Sequence, residues 1–257
     1  MNRISILLFS VFIFNACMPR LHKNQTNEWH PLFNGKDLTG WHIKIAGQKM
    51  DVNHLNTFTV EDSILKIRYD AYGNFNRQFG ALYTDRAYKN YRLKLDFRFV
   101  GETCPGAPSW GYQDSGIQYH GQSAESMDLG QEFPVALEYN LHGGNGRDER
   151  PCGEICANGT LIDLDGKTVK GCQKPVVKRT ILGGVWATAE IEVKDGVIRQ
   201  FINGEEIISY TNPRYDAEHA KGKTFIKNGK AELTQGYISL QSNSHPIDFR
   251  NIYIKEY

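Results

Sequence analysis

Short stretches of alternating apolar and polar residues run through most of the chain from Trp29 onward, and this alternation has the period of a half-buried β-strand. Turn sequences such as Lys194-Asp195-Gly196 and Asn203-Gly204 separate these stretches. No amphipathic pattern longer than two or three helical turns is present. The clearest strand patterns cover residues 57–60, 64–69, 91–100, 116–120, 135–142, 188–193, 197–202, 236–241 and 247–255. Many short strands at this spacing predict an all-β fold, a two-sheet jelly-roll sandwich.

Two long stretches interrupt the strand pattern. Residues 102–114 are rich in glycine, proline and tryptophan, and residues 143–175 contain three cysteines and many glycines. Both are too long for simple turns, and long loops on a β scaffold often carry function. The alternative is that they are decorations without a role in the site.

The N-terminus has the pattern of an export signal. A positive start (Met1-Asn2-Arg3) precedes an apolar run from Ile4 to Phe14, which is too short to span a bilayer. Phe14-Asn15-Ala16-Cys17 is similar to a lipobox, although an ordinary signal peptide with a chance cysteine is the alternative. We therefore predict a signal peptide at 1–16, a lipid on Cys17, a polar tether at 17–28 and one domain at 29–257. The expected location is the bacterial outer membrane, on its periplasmic or surface side.

Composition narrows the classes of partner. Apolar residues make up 40% of the 257 residues, enough for a sizeable core, and the aromatic share of 12% suits strands and sugar-stacking surfaces. The formal net charge is +1 and no basic block is present, which argues against a nucleic-acid partner. The membrane is expected to be contacted only through the lipid, and the sequence does not indicate an oligomeric state.

Four cysteines remain after Cys17, namely Cys104, Cys152, Cys156 and Cys172. In an oxidising compartment their even number is consistent with two disulfides, for which three connectivities are open. A zinc site at Cys152 and Cys156 is the alternative, but no histidine lies at a matching spacing.

Strand parity selects a set of polar residues. Side chains alternate between the two faces of a strand, so Gln118 and His120 share one face of theirs. Glu138, Asn140 and His142 likewise share the face opposite Leu137, Tyr139 and Leu141. Consecutive strands are usually neighbours. These five residues are therefore expected to form one polar patch on an outer, concave surface.

Five sequence blocks, in order, resemble the bacterial 3-keto-disaccharide hydrolase domain family over about residues 29 to 257. The blocks are Pro31–Trp41 (PLFNGKDLTGW), Tyr91–Arg98, Asp114–Gln118, Phe201–Glu205, and Gly236–Gln241 with Phe249–Ile252. The resemblance implies a concanavalin A-like jelly roll with a sugar-facing concave sheet. It also implies cleavage of 3-keto-glycosides, in which the ketone acidifies the C2 proton, the aglycone leaves C1 by elimination, and water adds afterwards.

That chemistry needs a general base and a donor for the enolate oxygen. We predict Glu138 as the base or as a metal ligand, and the alternative is a solvated outer-face carboxylate. His120 and His142 are candidates for acid, enolate donor or metal ligand. A divalent metal held by His120, Glu138 and His142 stays open.

Further substrate-binding candidates surround this patch. Gln118 and Asn140 belong to it, although the family usually has glutamine where Asn140 stands. Gln241 and Arg250 match family positions, Trp110 and Tyr112 are candidate sugar-stacking platforms, and His245 is a weaker candidate. Three alternatives to the keto-glycoside enzyme remain: a classical glycosidase, which needs two carboxylates, a non-catalytic sugar-binding module, and a purely structural lipoprotein.

Overall fold

The computed structural model describes residues 27–257. The predicted signal peptide, Cys17 and most of the predicted tether lie outside the described residues. The described part of the chain contains sixteen strands: β1 (His30–Pro31), β2 (Trp41–Ile45), β3 (Phe58–Glu61), β4 (Ile64–Ile67), β5 (Gly80–Thr84), β6 (Tyr91–Phe99), β7 (Asp114–Gly121), β8 (Ala136–Gly144), β9 (Glu154–Leu164), β10 (Lys167–Gln173), β11 (Ile181–Leu182), β12 (Ala187–Lys194), β13 (Val197–Ile202), β14 (Glu205–Tyr215), β15 (Tyr237–Ser242) and β16 (Ile247–Glu256). Short 3₁₀ segments lie at His54–Asn56, Ser109–Gly111, Ala124–Ser126 and Gly222–Phe225.

The strands form two layers joined through β14. One layer has the order β2-β5-β15-β7-β8-β9, and the other has the order β13-β12-β6-β16-β4-β3. Strand β14 pairs with both β9 and β13, which makes the hydrogen-bonded order continuous. All of these pairings are antiparallel except that of β11 with β8. The all-β jelly-roll prediction is confirmed.

The core lies between the two layers, where alternate residues of each strand meet. On β8 the inward residues Leu137, Tyr139 and Leu141 have no solvent exposure. The Tyr139 hydroxyl donates to the carbonyl of Phe201 in the opposite layer at 3.0 Å. The buried hydroxyl of Tyr139 thus finds a partner across the core, as the cost of burying an unpaired polar group favours.

The outward faces of β7, β8 and β9 carry the predicted polar patch. Gln118 lies directly opposite Glu138, and Asp114 lies opposite His142. Glu138 in turn lies opposite Cys156 on β9. The parity prediction for Gln118, Glu138, Asn140 and His142 therefore agrees with the register of these strands.

The four cysteines within residues 27–257 form one disulfide, so the prediction of two is wrong. Cys156 and Cys172 are cross-strand partners on β9 and β10 and are joined. Cys104 and Cys152 are buried free thiols, and burial raises the pKa of Cys152 to about 12. Because Cys156 is in the disulfide, the alternative of a zinc site at Cys152 and Cys156 does not fit.

No helix within residues 27–257 is long and apolar enough to cross a membrane.

Candidate active site

A cleft of about 290 Å³ opens on the outer face of the layer that contains β7, β8, β9 and β15. Its floor is formed by polar side chains of these strands, and its walls are formed by aromatic side chains and the disulfide. The lining residues are Trp110, Asp114, Phe133, Glu138, Asn140, Cys156, Ala157, Asn158, Gly171, Cys172, Gln241 and Asn243. We call it the Glu138 cleft.

Among the residues that line the cleft, Glu138 has a carboxyl group whose pKa is strongly raised. Burial, reinforced by the negative charge of Asp114, raises its pKa to about 8. A hydrogen bond from Gln118 Nε2 to Oε2 at 3.4 Å acts in the opposite direction. Gln118 is itself oriented by the Ser239 hydroxyl, which donates to its Oε1 at 2.8 Å. Glu138 therefore accepts a proton much more readily than an ordinary carboxylate once it is ionised.

Three amides of the cleft have an unpartnered oxygen. Asn140 Oδ1, Gln241 Oε1 and Asn243 Oδ1 are buried and have no hydrogen-bond partner. An unsatisfied buried acceptor costs about 1–3 kcal/mol, so a ligand that donates to these atoms recovers that energy. Hydroxyl groups are such donors. The residues that carry these oxygens line the cleft, so a polyhydroxylated ligand bound there would lie beside three unpartnered acceptors.

Asp114 is a residue of the cleft to which the sequence alone assigned no role. Its Oδ2 contacts His142 Nε2 at 2.9 Å and Arg150 Nη2 at 3.6 Å, and Asn243 Nδ2 donates to its Oδ1. The available signal was its place on the same strand face as Gln118, four residues away. Its carboxylate is held in place by these partners.

His142 lies on the predicted face but does not line the cleft. Nε2 faces Asp114, and Nδ1 lies 3.4 Å from the carbonyl of Pro151. Both ring nitrogens therefore have partners within the protein. This placement indicates that His142 positions the Asp114 carboxylate, and it does not fit the predicted role of His142 as a catalytic acid or metal ligand.

His120 does not belong to the patch, which corrects the prediction. Its backbone is left-handed, with φ of 47°, and this breaks the alternation of side chains at the end of β7. The ring packs 6.4 Å from that of Tyr91 and lines a separate cavity of about 330 Å³ that includes Asp195 and Glu232. Burial lowers the pKa of His120 to about 4.

The predicted metal-ligand set of His120, Glu138 and His142 is consequently not assembled. Within residues 27–257, metal-binding side chains converge at Glu154, Cys156 and Cys172, whose ligand atoms lie within 4.8 Å of one another. Both cysteines of that group are joined in the disulfide, so they offer no thiolate.

Arg250 lies in the opposite layer, which also corrects the prediction. Its Nε donates to Asp96 Oδ2 at 3.3 Å, and its guanidinium lies 4.0 Å from the centre of the Trp186 ring. The short connection after β15 carries the chain from one layer to the other. Gln241 and Arg250 are therefore separated although they are close in sequence.

Trp110 and Tyr112, the two predicted sugar-stacking residues, line different cavities. Trp110 is 48% exposed, stacks on Phe79 with ring centres 5.5 Å apart, and lines the Glu138 cleft. Tyr112 does not line that cleft. It lines a second cavity of about 590 Å³, which we call the end cavity, formed by Phe99, Val100, Gly101, Tyr112, Gln113, Gly144, Asn145, Gly146, Leu182, Gly183, Gly184 and His245.

Arg150 fixes the segment between these two cavities. Its guanidinium donates to the carbonyls of Trp110 at 3.2 Å, Gln113 at 3.1 Å and Gly143 at 2.8 Å, and also to that of Tyr112. The 102–114 stretch is thus an ordered wall of the cleft, tied to the 143–175 stretch by one side chain.

Comparison with known proteins assigns the family. The model of the 3-keto-alpha-glucoside-1,2-lyase-like domain family matches residues 28–255. The chain belongs to this family. Membership supports, at the level of the family, an enzyme that acts on carbohydrates as a hydrolase or lyase. Among curated proteins, none matches the chain significantly.

Solved structures agree on the fold. A candidate glycosyl hydrolase from Parabacteroides distasonis ATCC 8503 is 20% identical, with a TM-score of 0.53 over 89% of this chain and 94% of that one. A Bacillus subtilis protein of unknown function with a galectin-like fold is 12% identical, with a TM-score of 0.55 over 89% and 94%. A Bacillus licheniformis β-glucanase is 10% identical, with a TM-score of 0.50 over 90% and 97%. At these identities the likeness establishes the jelly-roll architecture.

Proposed function

We propose that this protein cleaves glycosides whose sugar has been oxidised to the 3-ketone, with Glu138 as the general base. The observation that carries the proposal is the pairing of one desolvated carboxylate with three unpartnered amide oxygens in the same cleft. A base whose pKa lies near the working pH is well matched to proton abstraction beside a carbonyl. Family membership supports the same substrate class.

In the proposed reaction, ionised Glu138 removes the proton from C2 and becomes a carboxylic acid. The electrons of the C2–H bond move toward the C3 carbonyl and form an enolate. The enolate then expels the aglycone, so that the C1–O bond breaks, a C1–C2 double bond forms and the C3 carbonyl returns. The departing oxygen takes the proton from the Glu138 carboxyl group, which restores the base. Addition of water across that double bond gives the free 3-keto sugar, and the net change is hydrolysis.

Other residues of the cleft hold the sugar in place in this proposal. Asn140, Gln241 and Asn243 accept hydrogen bonds from hydroxyl groups, and Trp110 offers its exposed face to an apolar sugar surface. Gln118 orients the Glu138 carboxylate through their shared hydrogen bond. Asn140 replaces the longer glutamine usual in the family, so a hydroxyl would have to approach this strand more closely.

A classical glycosidase is the second candidate, because Asp114 supplies another carboxylate to the cleft. That mechanism needs a free nucleophile or a base that can reach water. Asp114 is instead engaged by His142, Arg150 and Asn243. These contacts favour a fixed structural anion over a nucleophile, and the keto-glycoside reaction needs only one mobile proton acceptor.

The test is release of 4-nitrophenol from 4-nitrophenyl 3-keto-glucoside and from its unoxidised parent, each with and without a chelator. Turnover of the keto compound alone is expected. Turnover of the parent at a similar rate would favour the glycosidase. Failure to turn over either, together with measurable sugar binding, would favour a non-catalytic module. Loss of activity with chelator would add a metal requirement to the site.

We also propose that the reaction takes place outside the cytoplasm, on a protein anchored through a lipid on Cys17. The support is the apolar run at 4–14 followed by the lipobox-like Phe14–Cys17. Membrane fractionation of the parent and of Cys17→Ala tests this. Release of the variant from the membrane fraction is expected, and equal retention of both would contradict the anchor.

A further inference from the structure

We propose that the end cavity is a second binding site, separate from the Glu138 cleft, for a neutral sugar. It shares no lining residue with that cleft. Its volume of about 590 Å³ lies within the range of small-molecule sites and suits one or two pyranose rings. The proposal does not depend on the reaction proposed for Glu138, because it concerns binding alone.

Two buried side chains of the end cavity have polar atoms without partners. Gln113 and His245 are 9% and 1% exposed, and Gln113 Oε1 and His245 Nε2 have no hydrogen-bond partner. The opposite atom of each group is fixed: Gln113 Nε2 donates to the Tyr112 hydroxyl at 2.9 Å, and His245 Nδ1 pairs with the Thr103 hydroxyl at 2.7 Å. Both residues line the cavity, and these bonds hold their side chains in place there.

The backbone around Gln113 is specialised to hold its side chain there. Gln113 itself has a left-handed φ of 43°, which is unfavourable for a residue other than glycine. A Cβ at Gly183 would lie 2.5 Å from Gln113 Nε2, and one at Gly143 would lie 2.9 Å from Gln113 Cβ. The strained backbone of Gln113 and its two glycine neighbours all serve to hold one buried amide. Such an arrangement is typical of a functional position.

The chemistry of the cavity selects an uncharged ligand. None of the residues that line it carries a carboxylate, an ammonium or a guanidinium group. Burial and the nearby positive charge of Arg150 lower the pKa of His245 to about 4, so the ring is neutral at pH 7. Arg150 itself is directed toward backbone carbonyls and Asp114.

A hydroxylated ring meets these requirements. Hydroxyl groups donate hydrogen bonds to an amide oxygen. They can also donate to or accept from a histidine ring nitrogen, so they pair with either tautomer of the ring. Tyr112, which is 40% exposed, adds an aromatic surface of the kind on which sugar rings pack. Because Tyr112 and Gln113 directly precede Asp114, a glycan held here would lie beside the wall of the Glu138 cleft.

Saturation-transfer NMR with methyl α-D-glucopyranoside tests the proposal by giving a dissociation constant for each variant. Tyr112→Ala removes the aromatic surface, and Leu182→Trp fills the cavity from an exposed position. Each is expected to weaken binding at least tenfold. Tyr112→Phe keeps the aromatic surface but removes the partner of Gln113 Nε2, so it is expected to give a smaller loss than Tyr112→Ala. Trp29→Ala is the matched control, because Trp29 is an exposed aromatic residue that lines neither cavity, and it should change binding less than twofold.

Three results would overturn the proposal. One is the absence of sugar binding at tens of millimolar. Another is binding that survives both Tyr112→Ala and Leu182→Trp but is lost in Trp110→Ala, because the sugar would then occupy only the Glu138 cleft. The third is tighter binding of methyl glucuronide than of methyl glucoside. Turnover of the 3-keto substrate is measured on the same variants. Because Tyr112→Ala should change that turnover less than twofold, failure of the second sugar site can be told apart from failure of the proposed reaction.

Discussion

Gly116 provides the space that the Glu138 carboxylate occupies. A Cβ at Gly116 would overlap Glu138 Oε1 and lie 2.9 Å from its Cδ. Gly116 pairs with Asn140 across the β7–β8 ladder, two positions along from the pair of Gln118 and Glu138 and on the same face of the sheet. The absent side chain thus lets the carboxylate lie against the sheet, where it is partly withdrawn from water and its pKa rises.

Gly116→Ala is expected to displace this carboxylate. The added methyl group cannot coexist with Oε1 in its present position, so turnover of the 3-keto substrate should fall at least tenfold. Gly130→Ala is the matched control, because a Cβ there meets nothing within 4 Å. Steady-state kinetics of both variants, with a circular dichroism check of folding, make the comparison. Equal activities would show that the position of Glu138 is not critical.

Glu138→Gln is expected to reduce turnover about 10²–10⁴-fold, which is the usual contribution of a general base. Sugar affinity should change only a few-fold, because the amide has nearly the same shape. Glu154→Gln is the control, since Glu154 lies on the next strand, opposite Asn140, and does not line the cleft. Retention of wild-type turnover in Glu138→Gln would exclude Glu138 as the base.

The part of the site that sequence predicts is the part built on regular strands. Alternation alone places Gln118, Glu138, Asn140 and His142 on one face, and the register agrees because β7 and β8 are neighbouring antiparallel strands. Where the backbone leaves the regular strand conformation, the same reasoning fails. His120, with its left-handed φ, turns away from the face that its position in the sequence predicts.

The sequence also does not predict which residues from distant parts of the chain become neighbours in the fold. Arg250 follows Gln241 closely, but β15 and β16 belong to different layers, and no local pattern reports that change. The connectivity of the cysteines depends on which strands pair, so only the β9–β10 register identifies Cys156 and Cys172 as partners. The contacts of Asp114 depend in the same way on Arg150, which comes from a distant loop.

The pH dependence of kcat/KM should report the ionisation of Glu138. Only the ionised form removes a proton, so activity is expected to rise with pH around a midpoint near its pKa of about 8. Asp114→Asn removes a negative charge that raises this pKa, and the midpoint should therefore move to lower pH. The measurement is kcat/KM for the 3-keto substrate from pH 5 to 10. A midpoint near 4.5 in the parent would contradict a desolvated base.

The disulfide is expected to stabilise both the fold and one wall of the cleft. It closes a loop with a sequence separation of 16, for which the loss is typically about 2–4 kcal/mol of unfolding free energy. Cys156→Ser with Cys172→Ser should show that loss in urea denaturation and a higher KM, since both residues line the cleft. Cys104→Ser with Cys152→Ser is the control for KM. Alkylation of unreduced, unfolded protein should label Cys104 and Cys152 but not the other pair.

The raised pKa of Glu138 also predicts how stability depends on pH. The folded carboxyl keeps its proton up to about pH 8, whereas the unfolded one loses it near its ordinary value of 4.5. Between these values the folded state binds more protons, so the free energy of unfolding falls as pH rises. The amide of Glu138→Gln does not ionise, so its free energy of unfolding has no such dependence on pH. The variant should therefore gain stability relative to the parent from pH 5 to 9, by up to about 4 kcal/mol. The gain is smaller if water enters the cleft. Urea denaturation of both proteins at pH 5, 7 and 9 measures the gap, with Glu154→Gln expected to show no widening. A constant gap between parent and Glu138→Gln across this range would mean that Glu138 is not desolvated in solution.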